Sequence, residues 1–74
     1  MSTKINWGII GTGAIAHMFA KALAVLADAQ LVAVASRKKE TAEKFADEFN
    51  IPHRHVGCES LASDKDVDVV YIAT

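Results

Sequence analysis

The chain has 74 residues, 51% of them hydrophobic, with eight Lys and Arg against nine Asp and Glu for a formal net charge of −1. That apolar fraction excludes a disordered segment, and the near-neutral balance gives no argument for nucleic acid or an anionic membrane as a partner. The single cysteine, Cys58, excludes an internal disulfide, and no apolar run approaches the roughly 20 residues that cross a bilayer.

The start, Met1-Ser2-Thr3-Lys4, has one basic residue and no cleavage-type segment behind it, so a cytosolic setting without a signal peptide is expected. Residues 4–10 then read as a buried strand: short, apolar and ending in glycine. The glycine turn Gly11-Thr12-Gly13-Ala14-Ile15-Ala16 follows. Residues 14–27 read as a helix with the stripe Ile15, Met18, Phe19, Ala22, Leu23 and Leu26, leaving His17, Lys21 and Asp28 on its exposed side. Leu31-Val32-Ala33-Val34-Ala35 is too short for a helix and suits a strand buried on both faces. Ala42, Phe45, Ala46 and Phe49 mark a second helix from about 39 to 49. Asn50 suits the left-handed position behind it, and Pro52 prevents its continuation. Residues 53–57 read as irregular or a very short strand, and Glu59–Asp64 as one or two helical turns with Gly57 or Cys58 at the start. Val67–Ala73 reads as the third buried strand.

Alternating strands and helices predict parallel strands joined by right-handed crossovers. The fold class is therefore α/β, the first βαβαβ half of a doubly wound parallel (Rossmann) sheet with strand order 3-2-1. A fourth strand would lie against the first, and its absence would leave an edge of the first strand unpaired and open to self-association.

A strand, a glycine turn and then a helix is the order that dinucleotide binding requires. Gly11, Thr12, Gly13, Ala14 and Ile15 are the candidate pyrophosphate cradle, acting through backbone amides at the positive end of a helix. Ala16 stands where a third glycine often sits and is small enough for close packing. At the end of the second strand, an NAD site commonly has an acid. This chain has Ser36-Arg37-Lys38, which suits a 2′-phosphate, so NADP(H) is favoured and NAD(H) is the alternative. Ala73 and Thr74 would border the nicotinamide side. The spacing of His53, His55 and Cys58 lacks the paired signature of a structural zinc site, and His17 reads as exposed, so no metal is expected. Glu59, Asp64, Asp66 and Asp68 read as helix-start and surface charges. No nucleophile, base and orienting group occur together, so no catalytic residue is assigned.

Three stretches, Gly8–Ala16, Leu31–Arg37 and Asp66–Thr74, together resemble the glucose–fructose oxidoreductase / inositol dehydrogenase (Gfo/Idh/MocA) family, most closely its branch acting on sugars or dihydrodiols. The resemblance covers nearly the whole chain. It implies that residues 1–74 are a partial NAD(P)-binding domain of a longer, oligomeric enzyme that transfers hydride between a nicotinamide and a carbinol carbon. It also implies that the remaining strands, the substrate domain and the catalytic lysine lie beyond Thr74. Gly57 and Cys58 depart from the residues usual there. The competing expectation is a βαβαβ folding or assembly module without activity.

Overall fold

The computed structural model describes residues 4–73. The first strand, β1 (Ile5–Ile10), runs into the glycine turn and α1 (Ala14–Ala24), followed by β2 (Ala29–Ser36) and α2 (Lys39–Phe49). Then come β3 (His53–Val56), α3 (Cys58–Ala62) and β4 (Val69–Ile72). All the strand pairs are parallel, in the order β3-β2-β1-β4.

The order 3-2-1 therefore stands, but the segments that fill it differ from those expected. The third strand is the four-residue stretch His53–Val56, paired to the outer edge of β2. The apolar run expected to be the third strand is β4, and it pairs with β1 on the side away from β2. β1 is thus an interior strand bonded on both sides, and the unpaired edges belong to β3 and β4. The physical reason is that β2's outer backbone groups need partners, and the short His-Arg-His-Val segment supplies them. The chain then crosses beneath the sheet through α3 and emerges beside β1. Nor is β4 buried on both faces: Val69, Val70 and Ile72 are exposed.

Successive strand residues face opposite ways, and this divides the core in two. On one face Ile9 and Val34 pack with Ala16 and Ala20 of α1 and with Phe45 and Ala46 of α2. On the other, Ala33 and Ala35 pack with Leu61 of α3, flanked by Ile10 and Val67. Gly8 belongs to this second face, where an added Cβ would stand 3.1 Å from Leu61 Cδ2 and 3.2 Å from Val67 Cγ1. Its missing side chain lets α3 and the following loop approach the sheet. A bulge places Val32 as an extra residue between the pairs Trp7–Leu31 and Gly8–Ala33.

The first helix is shorter and differently rotated than its apolar pattern predicts. It ends at Ala24, because Ile5 must pair with Ala29 and donate its N–H to the Asp28 carbonyl at 2.8 Å, which draws 26–28 into a turn. Its buried positions are Ala16, Ala20 and Leu23, whereas Ile15 and Met18 are 56% and 70% exposed. Two of these three are alanines, which allow a close approach to the sheet. Phe19 lies at the flank of that face, meeting Trp7 edge-on and stacking on Tyr71 at a centroid distance of 3.9 Å. The second helix has the expected limits, and Asn50 takes the left-handed conformation (φ 55°) with Ile51 N–H donating to the Ala46 carbonyl.

Candidate cofactor crevice

The carboxyl ends of β1, β2, β3 and β4 open onto a crevice of about 680 Å³. Strand order reverses beside it, since consecutive strands leave β1 in one direction and β4 lies on the other. That is where open α/β sheets bind ligands. Gly11, Thr12, Ser36, Arg37 and Lys38 line it together.

The turn is built by backbone geometry. Gly11 has φ 114°, a conformation that side chains disfavour, and its N–H donates to the Ala35 carbonyl at 2.9 Å. Gly13 is the N-cap of α1, and its carbonyl accepts the first helical bond, from His17 N–H at 3.1 Å. The amides ahead of His17 therefore lie outside the helical ladder, and no side chain caps them. A Cβ built on Gly13 would meet nothing within 4 Å. The residues thus present free N–H groups at a helix N-terminus in front of open space, which fits an anionic pyrophosphate. Ala14 and Ile15 lie in the first turn of α1 and contribute amides, while the Ile15 side chain points away into solvent.

The start of α2 faces the crevice through Lys38 and Thr41, whereas Gly13, Ala14 and Ile15 are not among its lining residues. Lys38 caps α2 in an extended conformation without a side-chain cap, and Ala42 N–H donates to its carbonyl at 3.2 Å. Arg37, Lys38 and Lys39 are exposed, and none forms an ion pair among the described residues. Three cations at the positive end of a helix are unfavourable there, Glu40 of the first turn offsets them only in part, and a bound anion would relieve the rest. Ser36 and Thr41 share a hydrogen bond. Because Thr41 Oγ1 also donates to the Lys38 carbonyl at 3.0 Å, the Ser36 hydroxyl is the donor to Thr41. Its proton is therefore already engaged, so amides and cations are the ready donors here.

Ala73 N–H donates to the Ile10 carbonyl at 2.9 Å, which puts the end of β4 beside the glycine turn. Thr74 lies outside the described residues. Three lining residues escape a reading of local pattern. Thr41 lies one turn into α2, and Gly57 and Cys58 come in because Gly57 N–H donates to the Ser36 carbonyl at 2.8 Å. Only the helix-start character of Gly57 marked that position in the sequence.

His17 is half-buried and not simply exposed. Its ring lies edge-on to Phe45 and Phe49, with Nδ1 2.9 Å from the Gly13 carbonyl and Nε2 3.1 Å from Glu48 Oε1. Nor is Asp64 a surface charge. Its side chain is 7% exposed, with Oδ2 2.6 Å from His53 Nδ1 and 2.9 Å from His55 Nε2, while Oδ1 accepts the Asp66 N–H at 2.9 Å. The His53 contact first, then His55 and that amide, hold its carboxyl down at about 2. His17 and Cys58 are not part of this cluster.

Among known proteins, trans-1,2-dihydrobenzene-1,2-diol dehydrogenase of Mus musculus is 46% identical over 72 residues, covering 95% of this chain and 22% of its own length. The Xenopus laevis protein of the same name is 47% identical over 74 residues, with 97% and 22% covered. Among solved structures, the 3-ketoreductase KijD10 of Actinomadura kijaniata, in complex with NADP, superposes with a TM-score of 0.90 at 30% identity over 97% of this chain and 23% of its own. The myo-inositol dehydrogenase of Lactobacillus casei, in complex with NAD(H) and myo-inositol, has a TM-score of 0.87 at 31% identity over 97% and 22%. The chain thus spans about a fifth of the length of the curated relatives it matches. No helix among the described residues is long and apolar enough to cross a membrane. Residues 5–74 match the model of the oxidoreductase family with an NAD-binding Rossmann fold, and the chain belongs to that family, Gfo/Idh/MocA.

Proposed function

We propose that residues 1–74 are the cofactor-binding portion of an NADP(H)-dependent oxidoreductase acting on a carbinol carbon of a sugar, polyol or dihydrodiol. The remaining strands, a substrate domain and the oligomer interface lie outside this chain in that reading. Bound NADP(H) would supply the hydride chemistry, and this chain's residues hold the cofactor's anionic groups. Gly11, Thr12, Gly13, Ala14 and Ile15 receive the pyrophosphate. Arg37 and Lys38, with Ser36, receive the 2′-phosphate. Ala73 and Thr74 border the nicotinamide side, and no residue of the chain is assigned a catalytic role. A cytosolic setting belongs to the same proposal. So does self-association through an exposed sheet edge, now that of β4 and not of β1.

The observation that carries the cofactor preference is the cluster of cations without ionic partners at the uncapped start of α2, facing the crevice. A carboxylate accepting ribose hydroxyls would favour NAD, and the segment from Ser36 to Lys39 contains none. The solved relatives include both an NADP complex and an NAD(H) complex, so the preference rests on this chain's own residues. The carbinol substrate is supported by the dihydrodiol and inositol dehydrogenases among the relatives.

The test is a pair of amide NMR titrations, with NADP⁺ and with NAD⁺. The expected result is shifts at Gly13 and Ile15 with both dinucleotides and at Ser36 and Arg37 with NADP⁺ selectively. An equal response of Arg37 to both would overturn the 2′-phosphate assignment. No response at Gly13 to either, from a well-dispersed spectrum, would overturn the cradle.

A further inference from the structure

We infer that His53, His55 and Asp64 form a binding site for one divalent transition-metal ion of the zinc class. His53 and His55 are two apart on β3, so both rings project from one face of the strand. They converge there on Asp64, in the loop between α3 and β4. His53 Nδ1, His55 Nε2 and a carboxylate oxygen of Asp64 lie within 4.8 Å of one another. Tetrahedral zinc, with bonds of about 2.0–2.2 Å, sets its ligand atoms roughly 3.3 Å apart. The two contacts to Asp64, at 2.6 and 2.9 Å, need to open by roughly 0.7 and 0.4 Å to reach that spacing and admit the ion.

The supporting contacts carry the argument further than proximity does. Metal-bound histidines ordinarily donate their second ring N–H to an oxygen, and such partners orient the ring. His55 already has one, with Nδ1 2.7 Å from Ser60 Oγ, while the carboxylate nearest His53 Nε2 is Asp66 Oδ2 at 3.6 Å, beyond hydrogen-bond distance. Asp64 is oriented in turn by the Asp66 N–H. On binding, the ring proton that each histidine points at Asp64 moves to its second nitrogen, toward Ser60 or Asp66. The lone pairs left on His53 Nδ1 and His55 Nε2 bind the ion with Asp64 Oδ2. For neutral rings the step needs no proton from outside. Two neutral imidazoles and one carboxylate leave the site with charge +1 and a fourth position for water.

The ion would fasten the edge strand β3 to the loop ahead of β4, and its role is structural. It acts at a distance from the crevice, through the strand that carries Gly57 into it. This inference does not rest on the cofactor proposal.

The test is titration of chelator-treated protein with Zn²⁺ by calorimetry and with Co²⁺ by visible absorption. The expected result is one ion per chain at micromolar or tighter affinity, tetrahedral cobalt bands and a raised melting temperature. Binding should be lost in the double variant His53→Gln, His55→Gln and kept in Cys58→Ser and His17→Gln. Absence of binding, survival of binding in the double variant, or loss in Cys58→Ser would overturn the site. Imidazole ¹⁵N spectra of the unsubstituted protein give an answer that does not depend on any variant folding. Zinc must shift His53 Nδ1 and His55 Nε2 and leave His17 in place; any other pattern refutes the assignment.

Discussion

Gly13→Ala separates the cradle from the fold. Gly13 has φ −82° and ψ −166°, an extended conformation open to any residue, and a methyl group there meets nothing within 4 Å. Glycine is the better N-cap, by up to about 1 kcal/mol, while alanine lowers the entropy of the unfolded chain by about 0.4–1 kcal/mol. The two effects nearly cancel, so stability should change by less than about 1 kcal/mol. For a chain of this size that is a melting shift of at most about 4–8 °C. The same methyl group would stand in open space at the N-cap of α1, beside the turn where the pyrophosphate is proposed to sit. Losing one hydrogen bond to a charged group costs about 1.5–3 kcal/mol, or roughly 10- to 100-fold in affinity. Thermal unfolding and calorimetric titration with NADP⁺ on one preparation measure both quantities. A folded variant that binds within about threefold of the parent would refute the cradle. A larger melting loss would show that the space before Gly13 is not open.

Arg37→Ala should weaken NADP⁺ binding by roughly 10- to 100-fold and leave NAD⁺ unchanged, since one charge-assisted contact to the 2′-phosphate is lost; equal losses for both would remove Arg37 from the phosphate site. Ser36→Ala should cost less than about fivefold in NADP⁺ affinity, or under 1 kcal/mol, because its proton is engaged with Thr41; a loss matching that of Arg37→Ala would contradict this. Gly11→Ala forces a side chain into φ 114° and should destabilise by about 1–3 kcal/mol in denaturant unfolding; an unchanged midpoint would mean the turn relaxes. In chelator-treated protein, Asp64 binds protons less readily folded, at about 2, than unfolded, near 3.8. Its contribution is therefore fully present above pH 4 and is lost as pH falls toward 2. Asp64→Asn should flatten that part of the acid-unfolding curve, and an unchanged curve would show that the cluster contributes nothing.

The strands and helices with apolar runs were legible in the sequence, and so was the glycine turn. Ile9, Val34, Phe45 and Ala46 carry the core through ordinary periodicity. What escaped was carried by residues that do not look structural. The strand His53–Val56, open in the sequence as irregular or a very short strand, has one apolar residue, Val56, and that residue is exposed; its inward positions are histidines satisfied by Asp64. A search for apolar alternation passes over such a strand, and the next apolar run then takes its place in the order. The face of α1 differs from its apolar stripe for the opposite reason: Ile15 and Met18, two of its large apolar side chains, are exposed, while Ala16 and Ala20 beside the buried Leu23 allow the closer approach to the sheet. In the crevice, Ser36, Arg37 and Lys38 could be read from their place at a strand end. Thr41 and Cys58 enter only through tertiary pairing.

The bonds of His17 have a mechanical consequence. Through Gly13 on one side and Glu48 on the other, this side chain joins the peptide at the mouth of α1 to the last turn of α2. The N-cap that opens the proposed cradle is therefore tied to the neighbouring helix before any ligand arrives, so little binding energy would be spent ordering it.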